Sequence, residues 1–134
     1  MQTMQKLKAV GVKPSITRIM IYDYIFSTKD HPNVDEIFIT LKETLPTLSK
    51  TTVYNTVHLL KTHRLIKAYA MPNHEMRYDA NLDVHAHFLC ASCGQITDVL
   101  IDACDIVQTV ISENCIDETV ITFHGTCSKC QTSV

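Results

Sequence analysis

Four cysteines stand as two pairs, Cys90-Ala91-Ser92-Cys93 and Cys127-Ser128-Lys129-Cys130, with residues 94–126 between them. Each Cys-x-x-Cys is a bite of two thiolates that can close on one side of a tetrahedral metal, and two bites fill four positions. Soft sulfur selects zinc over hard cations. Gly94 follows the first pair directly, where a tight knuckle requires a residue tolerant of positive φ. Four thiolates leave no open position, so the expected ion is structural Zn(II) rather than catalytic zinc. The same spacing also admits two disulfides or one redox-active pair, although nothing in the sequence points to an oxidising compartment.

The chain has 134 residues, 46% of them apolar, which is room for one domain or two small modules with a core. No apolar run approaches the roughly 20 residues of a membrane span, and the first residues lack the apolar segment of a signal peptide. The expectation is a soluble, cytoplasmic protein with reduced thiols and no membrane partner. The net charge of −2 is unevenly distributed. Residues 1–78 hold 11 of the 12 Lys and Arg and 6 of the 14 Asp and Glu, a balance of +5. Residues 79–134 hold Lys129 against 8 acids, a balance of −7. One half is suited to a polyanion and the other is not, although ordinary surface variation could give the same split.

The order of elements sharpens this. Residues 3–10 predict a short helix ending at Gly11. Ser15 is positioned to cap a second helix with a buried stripe of Ile16, Ile19, Met20 and Tyr24. Asn33 caps a third, through about Thr44, with Asp35 and Glu36 in its positive first turn and Val34, Ile37, Phe38 and Leu41 as its apolar face. After Pro46, Ser49 caps a fourth helix, Lys50 to about His63, burying Val53, Val57 and Leu60. Leu65–Ala70 and Met76–Asp79 predict a hairpin. That order is a winged helix-turn-helix. Beyond it, Asp83 to Ala86 predicts a hinge, Ile96–Ile101 a strand, 102–113 a helix capped by Asp102, and Ile116–Phe123 a second strand.

A recognition helix must bury one face and offer another to the major groove. On residues 50–63, Thr51, Asn55 and His58 lie opposite the buried side, with Tyr54 and Lys61 alongside. Thr and Tyr suit thymine methyls, Asn an adenine edge and Lys a phosphate. Lys67 and Arg77 would make the wing basic, and Lys8, Lys13 and Arg18 would be auxiliary phosphate or minor-groove contacts. A solvated helix face is the competing reading.

A second set of metal ligands precedes the first cysteine pair. His85-Ala86-His87 places two imidazoles on one side of an extended segment, between Asp79 upstream and Asp98 downstream, and His31 opens the turn before the third helix. Imidazoles and carboxylates without a thiolate suit Fe(II), Mn(II) or Zn(II). Ordinary surface or core histidines remain the alternative, and His58, His63, His74 and His124 are not counted as ligands.

Gly11-Val12-Lys13-Pro14 with Thr17-Arg18, His31-Pro32 with Asp35-Glu36-Ile37, Ser49 with Thr52-Val53-Tyr54, His85-x-His87-x-x-Cys90-x-x-Cys93-Gly94 and Cys127-x-x-Cys130 together resemble the ferric uptake regulator family, across nearly the whole chain. The resemblance implies an α+β protein. A winged-helix DNA-binding domain over 1–79 would be followed by a hinge with metal ligands over 80–87. An α/β dimerisation domain with a four-cysteine zinc site would cover 88–134. It implies a homodimer on double-stranded DNA, an A·T-rich inverted repeat, with Ser49 and Thr52 among the DNA-facing residues. It assigns Cys90, Cys93, Cys127 and Cys130 to structural zinc, and His31, Asp79, His85, His87 and Asp98 to a regulatory site for Fe(II) or Mn(II).

Asp at 79 and 98, with Asn55 after Thr52-Val53-Tyr54, resembles the peroxide-responsive repressor branch, in which a ligand histidine is oxidised by Fe(II) chemistry; His31 and His85 would carry that role. Iron-responsive or manganese-responsive repression is the alternative. The chain departs from the family's common pattern at Ala86 and at Pro14-Ser15-Ile16-Thr17-Arg18. An enzyme is disfavoured: a zinc deaminase needs His-x-Glu with Pro-Cys-x-x-Cys, and neither is present. A metal-buffering zinc ribbon would not require the helix at 50–63. Cys104 and Cys115 are expected to be buried apolar thiols.

Overall fold

A computed structural model describes residues 2–82, 85–100, 114–115 and 119–131. The chain divides into two compact units, Met1–Leu82 and Asp83–Val134. The N-terminal unit runs α1 (Gln2–Ala9), α2 (Ile16–Ser27), α3 (Val34–Lys42), α4 (Lys50–Thr62), β1 (Lys67–Ala70) and β2 (Met76–Asp79). Side chains fix three of its helix starts. Ser15 accepts from the Arg18 amide at 3.2 Å, Asn33 from Glu36 at 2.8 Å and Ser49 from Thr52 at 3.1 Å. Each bond satisfies an amide that the first helical turn leaves without a partner.

Helices and hairpin close on one core. Leu7, Ile21, Ile25, Ile37, Val53, Val57, Leu60 and Ile66 are all but fully buried. β1 and β2 pair antiparallel, Lys67 opposite Asp79 and Ala70 opposite Met76, and form the wing. This is a winged helix-turn-helix.

Three expectations are corrected in this unit. The buried line of α2 is Ile21, Tyr22 and Ile25, while Ile16 is 69% exposed and Ile19, Met20 and Tyr24 pack at the margin of the core. α2 is apolar around most of its circumference, so periodicity does not select a face and the neighbouring helices do. α3 ends at Lys42, earlier than expected, and Leu65 and Ile66 anchor the hairpin in the core instead of extending β1.

The C-terminal unit is built on β3 (Ala86–Cys90), β4 (Ile96–Val99) and β5 (Ile121–Gly125), with a short helix, α5 (Ser128–Gln131). The sheet order is β4-β3-β5; β3 pairs antiparallel with β4 and parallel with β5. Alternation is missing at β3 because both of its faces are covered. Ala86 and His87, expected in the hinge, therefore begin the central strand, and Ala80 belongs to the core of the N-terminal unit. The strand expected from Ile116 is seen over Ile121–Gly125. The expected helix over 102–113, Cys104, Asp83 and residues 116–118 lie outside the described residues. Cys115, expected to be buried, is exposed.

Candidate metal centres and nucleic-acid face

The two cysteine pairs converge. Their Sγ atoms all lie within 4.8 Å of one another, and Cys93 and Cys127 Sγ are 3.9 Å apart. Tetrahedral zinc with Zn–S bonds of about 2.3 Å sets its ligands about 3.8 Å apart. The four side chains are thiols, and 3.9 Å is a ligand spacing rather than a bond, so the donor set fits zinc and not the disulfide reading. The backbone builds this pocket. After β3 the chain turns through Gly94 at φ +74, whose amide donates to the Cys90 carbonyl at 2.8 Å. Ala91 donates to the Gly125 carbonyl at 2.8 Å, which ties the knuckle to the end of β5. The Cys127 amide donates to Cys90 Sγ at 3.3 Å, and α5 begins one residue later.

Electrostatics separates the thiols. Amide donors from Cys127 and then Cys93 lower the Cys90 thiol to about 6. Hydrogen bonds with the Cys127 and Cys90 thiols push Cys130 up to about 12, since a proton is retained where sulfurs crowd together without a cation. A divalent ion in place of that proton relieves the crowding.

The His and Asp residues form one group in each unit. In the N-terminal unit, His31 Nε2 lies 3.3 Å from Asp79 Oδ2, and both residues are buried. His31 sits at φ +52, a left-handed conformation uncommon for a non-glycine residue. Asp79 ends β2, and its Oδ1 accepts from the Asn81 amide at 2.9 Å. In the C-terminal unit, the i, i+2 spacing puts His85 and His87 on one face, and the antiparallel register sets Asp98 directly opposite His87. Asp98 Oδ1 lies 3.5 Å from His85 Nε2 and 3.3 Å from His87 Nε2, and the two rings meet edge to face with centroids 4.5 Å apart. Two imidazole nitrogens converging with a carboxylate oxygen form a set suited to a borderline or hard divalent ion.

Elsewhere in the N-terminal unit, Ser49, Thr51, Thr52, Tyr54, Asn55, His58 and Lys61 are exposed, while Val53, Thr56, Val57 and Leu60 are buried. A cleft of about 500 Å³ joins α4 to the start of α2, lined by Lys13, Pro14, Ser15, Thr17, Arg18, Thr52, Asn55, Thr56 and Leu59. Lys13, Arg18, Thr52 and Asn55 thus share one concavity. Arg18 is held inward, its Nη1 donating to the Lys13 carbonyl at 2.7 Å, and the Ser49 and Thr52 hydroxyls are 2.9 Å apart. Burial, then the neighbouring Tyr54, pushes the Tyr78 phenol above its usual range.

Arg77 is a correction. Instead of extending into solvent from the wing, its guanidinium donates to the His31 carbonyl at 3.3 Å and pairs with Glu75 at 3.3 Å and Glu36 at 3.6 Å. Glu75 is a local partner two residues away, but the His31 carbonyl and Glu36 lie 46 and 41 residues earlier and leave no short-range signal in the sequence.

These features agree with known proteins. A peroxide-responsive repressor of Staphylococcus epidermidis is 27% identical over 135 residues, 97% of this chain and 89% of that protein. Among solved structures, the ferric uptake regulator of Helicobacter pylori matches with a TM-score of 0.78 at 19% identity, covering 97% of this chain and 89% of the other. The peroxide-sensing regulator of Streptococcus pyogenes matches with a TM-score of 0.56 at 25% identity, covering 97% and 91%. None of the helices among the described residues is long and apolar enough to cross a membrane. The family pattern itself is met from residue 9 to residue 121, reaching into both units and ending before the second cysteine pair, so this chain belongs to the ferric uptake regulator family.

Proposed function

We propose that the chain is a metal-dependent transcriptional repressor that binds an A·T-rich inverted repeat as a homodimer in the cytoplasm and senses peroxide. Cys90, Cys93, Cys127 and Cys130 would hold Zn(II) as a closed structural site, and the spacing of their sulfurs supports this. His85, His87 and Asp98, with His31 and Asp79, would hold the regulatory Fe(II) or Mn(II). The observation that carries this reading is the position of Asp98, whose one oxygen lies within 3.5 Å of both imidazoles. The sheet register aims a carboxylate at a His-x-His pair in a set with no thiolate.

Ligands drawn from two units make metal binding a bias on the conformational equilibrium. An ion bound by both sets favours the state that brings them together, by its differential affinity for that state. In that state the exposed face of α4 would read bases, with Lys13 and Lys61 on phosphates. Bound Fe(II) would supply the one-electron chemistry through which peroxide oxidises an adjacent imidazole. His31 and His85 are the imidazoles assigned to that fate, and oxidation of either would remove a ligand and release DNA. The relatives identified as peroxide-responsive repressors, and aspartate rather than a longer carboxylate at 79 and 98, support this branch.

The test is anaerobic loading with Fe(II), addition of peroxide, and mass spectrometry of the peptides bearing His31 and His85. A gain of one oxygen with loss of operator binding is expected. Iron-loaded protein that stays on DNA with unmodified histidines would leave iron- or manganese-responsive repression as the function.

A further inference from the structure

β2 holds the turn at His31 with three successive residues. The Arg77 guanidinium donates to the His31 carbonyl at 3.3 Å. The Tyr78 amide donates to the Pro32 carbonyl at 3.0 Å. The Asp79 carboxylate lies 3.3 Å from the His31 imidazole. His31 is left-handed at φ +52, a conformation that persists in a non-glycine residue when its surroundings over-determine it. Two of the three holds come from groups with few alternatives: a strand amide, and the side chain of the partner ligand. The third is a long side chain, and it is itself fixed. Arg77 reaches Glu75 at 3.3 Å and Glu36 at 3.6 Å, and the Asn33 side-chain amide donates to Glu75. Asn33 is the N-cap of α3, so one guanidinium ties the wing, the start of α3 and the His31 turn together.

We propose that Arg77 is a positioning residue for the regulatory metal: it fixes the His31 carbonyl, and through it the direction of the imidazole, and so links the wing to metal affinity. The inference rests on the reading of His31 as a regulatory ligand. Groups that orient a metal ligand without touching the ion typically change affinity by roughly 10–100-fold. The sign of the effect discriminates. Arg77 carries a positive charge, so its removal by Coulomb's law alone would tighten binding of a cation nearby. A positioning role predicts weaker binding.

The experiment uses full-length, zinc-loaded protein and Mn(II), read by electron paramagnetic resonance, with apo-protein thermal unfolding alongside. Arg77→Gln is expected to weaken Mn(II) binding by roughly tenfold. Arg77→Lys, which keeps the charge but presents no fork able to hold a carbonyl and two carboxylates together, is expected to weaken it in the same direction. Both should retain zinc and remain folded at the temperature of the titration. A residue that served stability alone would lower the unfolding temperature and leave Mn(II) affinity in the folded protein unchanged. Mn(II) binding equal to or tighter than wild type in Arg77→Gln, while His31→Ala loses it, overturns the positioning role and spares the metal site. Unaltered Mn(II) binding in His31→Ala overturns the reading of His31 as a ligand, and this inference with it.

Discussion

Cys90 and Cys130 sit in one cluster, yet their pKa values are shifted in opposite directions. Cys90 receives amide donors and is lowered to about 6, while Cys130 shares a proton with neighbouring sulfurs and is raised to about 12. Zinc binds thiolates, so protons compete with it and affinity falls as pH falls. At a pH of about 7.5, Cys90 is already a thiolate and contributes little to proton release, whereas Cys130 must lose its proton. Zinc binding to the reduced apo-protein is therefore expected to release fewer than four protons, measurable by calorimetry in buffers of different ionisation enthalpy. Release of all four would show that the amide donors do not lower Cys90. Gly94 sits at φ +74 with nothing within 4 Å of an added Cβ, so Gly94→Ala brings backbone strain without a clash. The expected loss is about 1 kcal/mol, read as weaker zinc retention against a chelator.

Helix α4 buries one face and exposes the other, and on the proposed reading substitutions on each should fail differently. Leu60 is fully buried in the core, and Leu60→Ala is expected to cost about 2–5 kcal/mol of stability. Tyr54 is 59% exposed, so Tyr54→Ala should leave the unfolding temperature nearly unchanged and weaken operator binding by about 1–3 kcal/mol, a base contact of ordinary strength. Thermal unfolding and a gel shift on the same samples check both. Full operator affinity in Tyr54→Ala would remove α4 from the base-reading role. Ser49→Ala removes the cap that the Thr52 amide uses and should cost about 1 kcal/mol of stability. Its hydroxyl already has partners in the cap, so loss of DNA binding in this variant reports helix geometry as much as a lost contact.

At the scale of the molecule, the two proposed metal centres should be separable. Asp98→Ala or His87→Ala leaves the four thiolates untouched, so zinc content and dimer are expected to persist while metal-dependent DNA binding is lost. Zinc analysis, light scattering and binding titrations with and without Mn(II) check this. Loss of zinc or of the dimer on Asp98→Ala would show that the centres are coupled structurally. Lys13→Ala should weaken binding on every sequence alike and reduce the salt slope by about one ion. Arg18 is a poorer probe, because its guanidinium also closes the loop at Lys13.

Short-range pattern was enough for whatever a few neighbouring residues settle among themselves. Capping residues at 15, 33 and 49 mark helix starts because the orphan amides they serve lie three residues on. The spacing of Cys90, Cys93, Cys127 and Cys130 is local within each pair, so the two bites are legible as they stand. His85 and His87 share a face by the period of an extended strand. Features that depend on distant partners waited for the folded chain. The buried face of α2 is selected by its neighbours, and β3 shows no alternation because both its faces are covered. Asp98 was legible as a candidate from its place downstream of the two histidines, and only the sheet register sets it directly opposite His87. Arg77 turns inward because a carbonyl and a carboxylate more than 40 residues earlier in the chain fold into its reach. Hydrogen bonds and ion pairs act over a few ångströms in space, and chain separation carries no trace of them.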